Sequence, residues 1–168
     1  MRYLYLLRHA KSSWNDPGLA DRERPLAPRG QRAAGKIAGY LRSEKVSPAL
    51  VLCSPARRTM QTLELIAPAL GEGRTLVEEA LYLADATKLL KRLRRLPETV
   101  FSVMLIGHNP SLQELALTLA GRGAALGRLE AKFPTGALAI LAVPAESWRD
   151  LGEGVAELAA YVVPRDLG

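Results

Sequence analysis

Near its start the chain reads YLYLLRHAKSSWN, and the apolar run Tyr3–Leu7 constrains the fold more than any other feature. Five residues without polar alternation suit a strand buried on both faces. Such a strand needs a covering layer on each side. The run stops abruptly at Arg8 and His9, and a polar loop follows. Open α/β sheets bind ligands at the carboxyl ends of their buried strands. Taken alone the pair also fits a plainer role, with Arg8 capping the strand and His9 an ordinary edge histidine.

The same pattern recurs downstream. Leu50–Cys53 reads as a second buried strand, and Ser54-Pro55 as a helix start with a hydroxyl N-cap and a first-turn proline. That helix should run to about Leu70 and end at Gly71. Ser102–Ile106 is another buried strand, followed by Gly107-His108-Asn109-Pro110; Asn109 as N-cap and Pro110 as first helical residue open a helix ending near Gly121. Pro28 begins a helix that turns Ala34, Ile37, Ala38 and Leu41 to the core. Leu76–Glu79 is extended, and Asp85 caps a helix from Ala86 to about Leu96 whose basic face is solvated. Ala137–Val143 and Glu157–Val163 form a final strand pair. Pro17–Pro28, rich in Asp, Arg and Pro, is an excursion over the sheet's edge. The expectation is one domain over residues 1–168, an α/β three-layer α/β/α sandwich with a mostly parallel central sheet.

Composition narrows the partners. The 168 residues suffice for one core, and a formal charge of +6 favours an anionic ligand. The nine aromatic residues do not interleave with basic ones, so a base-stacking platform, and with it nucleic acid, is not expected. Cys53 is alone, which excludes an internal disulfide and thiolate-held zinc. No leader segment and no apolar run near the roughly 20 residues of a membrane span appear. A cytoplasmic location without membrane contact is the expectation; oligomeric state is not legible.

The chemistry gathers at three strand-to-helix junctions: Arg8-His9, Ser54 with Arg57-Arg58, and Gly107-His108. These hold the only two histidines in the chain. A parallel sheet brings such junctions to one edge. Two guanidinium groups and two imidazoles around one point make an oxyanion site, because arginine's planar fork binds phosphate oxygens bidentately. No Walker-type glycine loop or metal-binding carboxylate cluster is evident, so arginine would supply the positive charge that phosphoryl transfer needs. No cofactor is implied, and one histidine can serve as nucleophile to form a phosphoenzyme that water resolves.

LLRHAKSSWN, SPARRTMQT and GHNP resemble the three signature segments of the histidine phosphatase superfamily, with its phosphoglycerate mutase-like fold. PLAPRGQRAA and the closing PTGALAIL…VVPRDL resemble its small SixA-type phosphohistidine phosphatase branch. The resemblance implies that His9 is the nucleophile, with Arg8, Arg58 and His108 completing the phosphate pocket. Arg58 is chosen over Arg57 because the family's pocket arginine lies four residues after the serine of its segment. Asn15 matches a phosphate-contacting position in related mutases, or is simply a turn-former, and Ser12 would add a hydroxyl there. Ala10 and Lys11 depart from the mutase pattern and agree with the small branch.

The resemblance places a general acid at Glu79, with Glu78 and Asp85 as rivals and a solvated strand-end glutamate as the plain alternative. A phosphoramidate has less need of one, since its leaving imidazole can take a proton from water. The expected activity is therefore metal-independent hydrolysis through a phosphohistidine intermediate, acting on a phosphorylated protein (phosphohistidine) or, alternatively, on a small phosphate ester. Lys11, Arg22, Arg24 and Arg29 would form a basic rim.

Overall fold

The computed structural model describes residues 1–168. Seven strands, β1 (Arg2–Arg8), β2 (Leu50–Cys53), β3 (Arg74–Val77), β4 (Ser102–Gly107), β5 (Ala120–Arg122), β6 (Leu138–Val143) and β7 (Ala156–Val162), form one sheet in the order β3-β2-β4-β1-β6-β7-β5. The first four named in that order are parallel. β6 runs antiparallel to both β1 and β7, and the short β5 joins β7 in parallel. Five helices cover the sheet: α1 (Pro28–Ser43), α2 (Arg57–Ile66), α3 (Ala86–Arg94), α4 (Ser111–Leu119) and α5 (Leu126–Ala131). None is long and apolar enough to cross a membrane.

The alternation of side chains along each central strand divides the core in two. Leu4 and Leu6 of β1, Leu50 and Leu52 of β2, and Val103 and Leu105 of β4 point to the side covered by α3, α4 and α5. Leu7, Val51, Cys53, Met104 and Ile106 point to the side covered by α1 and α2, against Ile37, Leu41, Leu63 and Ile66. Leu4, Leu6, Leu52 and Met104 are wholly excluded from solvent, each contributing about 1.5–3 kcal/mol of burial. The runs are apolar throughout because both faces are covered, and the three-layer architecture follows.

Four local expectations are corrected. The helix after β2 starts at Arg57, with Ala56 ahead of it and no side-chain cap; Ser54 Oγ lies 2.7 Å from His108 Nε2 and accepts only the Ala56 N–H, at 3.4 Å. The third strand is Arg74–Val77 rather than Leu76–Glu79, since its pairing with β2 begins at Leu50↔Arg74 and ends at Cys53↔Val77. Glu79 instead opens a 3-10 turn, Glu79–Leu81. The helix after β4 begins at Ser111, although Asn109 Oδ1 still accepts the Gln113 N–H at 3.3 Å. β5 and α5 carry no sequence signal comparable to the rest.

Candidate active site

The backbone around His9 is pinned on three sides. The His9 N–H donates to Gly107 O (3.1 Å) at the end of β4, and the Gly136 N–H, just before β6, donates to His9 O (2.9 Å). The Ala10 N–H donates to Thr62 Oγ1 (3.0 Å), whose hydroxyl donates to Arg58 O (2.8 Å) on α2. Beyond it, the Ala27 N–H donates to Lys11 O (2.9 Å), and α1 passes so near that a Cβ on Gly30 would collide with the Lys11 backbone. The loop after β1 is therefore held by β4, β6, α2 and α1 at once.

Onto this frame the structure brings Arg8, His9, Arg58 and His108, which line one hollow of about 610 Å³ together with Ser12, Asp21, Tyr82, Asn109 and Thr135. The two imidazoles have ring centroids 5.4 Å apart. His9 Nδ1 lies 2.7 Å from the Ala10 carbonyl, which can only accept, so Nδ1 carries the proton. Nε2 of His9 is thereby left with its lone pair free. His108 Nε2 sits 2.7 Å from Ser54 Oγ, a fully buried hydroxyl. Arg58 is buried and doubly anchored, Nη1 donating to Asp21 O (2.8 Å) and Nη2 to Asp21 Oδ2 (3.0 Å). Arg8 donates from Nη1 to Phe133 O (2.9 Å), while its Nε is buried without a partner.

Electrostatics follow from this crowding. Burial first, then the neighbouring His108, Arg58 and Arg8, pushes His9 down to about 3 despite the Ala10 carbonyl. Burial and then Arg58 push His108 down to about 4. Arg8 is lowered by burial and by Arg58. Both imidazoles are thus neutral at physiological pH, facing two guanidinium groups. The Tyr82 hydroxyl, followed by Arg58, pulls Asp21 down to about 2, so this carboxylate stays ionised. Cys53, buried at the end of β2, is pushed up to about 12, which makes its thiol inert. No three His, Cys, Asp or Glu side chains gather as metal ligands.

Several expected residues stand elsewhere. Glu79 is fully exposed, lies outside the hollow and forms an ion pair with Arg22, which lowers its pKa. Glu78 is likewise held ionised by Arg92 (2.7 Å). A carboxyl placed this way is a poor proton donor, and the structure does not bring Glu79 together with His9 in the hollow. Asp85 reaches the mouth of the hollow but spends its carboxylate on the Lys88 N–H. Asn15 is exposed and outside; only its backbone N–H is engaged, by Ser13 Oγ at 3.1 Å. Ser12 does line the hollow, with its hydroxyl accepting from Arg24.

The expected basic rim is also redrawn. Arg24 is buried, donating to Ser12 Oγ, Ser13 O and Asp21 Oδ1 while stacking on Trp14. Arg22 is committed to Glu79. Asp21 and Tyr82 are the pocket residues that spacing did not reveal, and it did not reveal the contact of Ser54 with His108 either. Asp21 lies in the irregular excursion, and Ser54 has the local signature of a helix cap.

The chain matches the family model described as histidine phosphatase superfamily (branch 1) over residues 4–82. An uncharacterized protein of Mycobacterium tuberculosis is 40% identical over 166 residues, covering 95% of this chain and all of that one. Among solved structures, a candidate phosphohistidine phosphatase SixA from Agrobacterium tumefaciens is 30% identical with TM-score 0.83, over 97% of this chain and 98% of that one. A protein histidine phosphatase SixA complexed with tungstate is 25% identical with TM-score 0.80, over 99% of each chain.

Proposed function

The chain belongs to the histidine phosphatase superfamily and is a phosphatase; we propose that it hydrolyses protein phosphohistidine through a phosphohistidine intermediate on His9, without a metal. The observation that carries this reading is the His9 ring itself. Its Nδ1–H is fixed on the Ala10 carbonyl, and its free Nε2 shares a hollow with Arg8, Arg58 and His108.

In the first step the Nε2 lone pair attacks phosphorus in line with the bond to the leaving group. Arg8, Arg58 and His108 hold the three equatorial oxygens, whose charge they stabilise. The bond to the leaving nitrogen breaks and its electron pair stays with that nitrogen. In the second step water attacks the phosphohistidine, and inorganic phosphate leaves with His9 restored as a neutral imidazole. Ser54 keeps the His108 ring oriented, and Asp21 keeps Arg58 aimed.

The substrate class rests on the carboxyl groups. Asp21, Glu78 and Glu79 are all held ionised by cations or a phenol. A leaving imidazole can be protonated from water, whereas an alkoxide needs a placed acid. The mouth is also open and partly apolar, with Trp14 71% and Leu83 82% exposed at its lip, which suits a macromolecular face.

The test is a rapid acid quench with labelled phosphoprotein in EDTA. Acid-labile, base-stable label on the enzyme, lost in His9→Gln, is expected. Label on serine, or turnover surviving His9→Gln, would overturn the mechanism. Turnover of sugar phosphates far above that of a phosphohistidine protein would overturn the substrate.

A further inference from the structure

Beside the phosphate hollow runs a second concavity of about 1010 Å³, and the two share Lys11 and Thr135 in their walls. One wall is α1, where Arg29, Arg32 and Lys36, spaced three and four residues apart, lie on a single exposed face. The facing wall carries Lys132 and Arg165, also exposed. Arg128 is there too, but its charge is matched by Asp166 at 2.7 Å, the one acidic residue of the groove. No carboxylate lies within ion-pair distance of Arg29, Arg32, Lys36, Lys132 or Arg165.

Five uncompensated cations facing one another across a trough repel, and a fold gains nothing by keeping them so close. We propose that this groove docks an acidic segment of the protein substrate, carboxylates next to the phosphorylated side chain lying along α1 while the phosphoryl group sits at His9. The inference rests on the phosphoprotein reading above and names what such a protein must display beside its phosphate.

The groove argues against nucleic acid as the occupant. Its only aromatic residue is Tyr161, 7% exposed, with its hydroxyl given to Lys132 O and its ring covered by the Arg128 guanidinium at 5.1 Å. No ring face remains for a base to stack on, which single-stranded nucleic acid would need. Carboxylates need only the guanidinium and ammonium groups already present. Lys11, in both walls, marks where the two parts of one ligand would meet.

The test uses two phosphohistidine peptides differing only in their flanking residues, glutamates or lysines, together with p-nitrophenyl phosphate. The variant is Arg29→Glu/Arg32→Glu/Lys36→Glu, with the corresponding triple glutamine variant as a milder partner; none of these side chains lines the phosphate hollow. Wild type should show a KM about tenfold lower for the glutamate-flanked peptide, a few-fold for each exposed pair, and the preference should shrink with salt. The glutamine variant should lose most of it and the glutamate variant all of it, with p-nitrophenyl phosphate kinetics unchanged. Turnover of both peptides without preference, or a preference that survives the triple substitution, overturns the docking site.

If p-nitrophenyl phosphate is hydrolysed and neither peptide is, the substrate reading fails by itself. The groove is then judged by anisotropy with a labelled poly-glutamate peptide. Binding by wild type and its loss in the variant uphold an acidic-segment site. Equal binding by both proteins, or tighter binding of a single-stranded oligonucleotide that the variant abolishes, rejects it.

Discussion

Consider lowering the pH from about 7.5 to about 5. The chain has two histidines, both in the phosphate hollow, held down to about 3 for His9 and about 4 for His108, mainly by burial. In the unfolded chain each titrates near 6.5. Unfolding within this window therefore takes up protons, and stability that is fully present above about pH 6.5 is lost as the pH falls, levelling off only near the folded values. Integrating the proton uptake gives a loss of about 2 kcal/mol per histidine at about pH 5, about 4 kcal/mol together. Because both folded values lie below this range, the sum hardly depends on how far below. Asp21, at about 2, titrates at lower pH still. Against a typical total of 5–15 kcal/mol the loss is large. Urea unfolding followed by circular dichroism at the two pH values measures it. Wild type should lose about 4 kcal/mol, His9→Gln and His108→Gln about 2 each, and the double variant almost nothing. A wild-type stability flat to within about 1 kcal/mol, or a full loss retained in the double variant, would refute the claim that these rings are buried uncharged.

Three further outcomes are expected. Arg24→Ser should lower stability by about 3 kcal/mol, since three hydrogen bonds and the Trp14 stack go with it; a thermal melt reads this, and an unchanged Tm would show the loop to be held otherwise. Glu79→Gln should leave kcat for p-nitrophenyl phosphate within about twofold, whereas a far larger loss would return that carboxyl to the chemistry. Ser54→Ala should reduce kcat/KM for the same ester by about tenfold or more, the cost of an unpaired ring nitrogen in a buried site; undiminished turnover would show that His108 needs no support.

The central strands were legible in the sequence because β1, β2 and β4 are covered on both faces and so read as unbroken apolar runs. The same fact pointed to the junctions that carry His9, Arg57-Arg58 and His108, since parallel strands must deliver their following loops to one edge; the choice of Arg58 over Arg57 came from the family resemblance. What was not legible depended on partners distant in sequence. Ser54 looks like a helix cap beside Pro55, and only the fold shows His108 competing for its hydroxyl. Glu79 looks available until Arg22 arrives from an irregular loop 57 residues earlier. The same loop brings Asp21 onto Arg58, a contact between segments 37 residues apart with no periodicity to betray it. β5, reading Ala-Gly-Arg, exists only because β7 offers it an edge.

The position of β1 in the middle of the sheet has a consequence for how the molecule comes into being. This strand is flanked by β4, about a hundred residues further along the chain (Tyr3↔Ser102), and by β6, further still (Arg2↔Val143). A nascent chain emerging from the ribosome must carry that greasy ribbon unpaired until both neighbours have been synthesised. Such non-local closure slows folding and leaves time for wrong associations. His9 and His108 meet only when β1 finds β4 across that gap (Arg8↔Gly107), so neither segment alone can assemble the hollow.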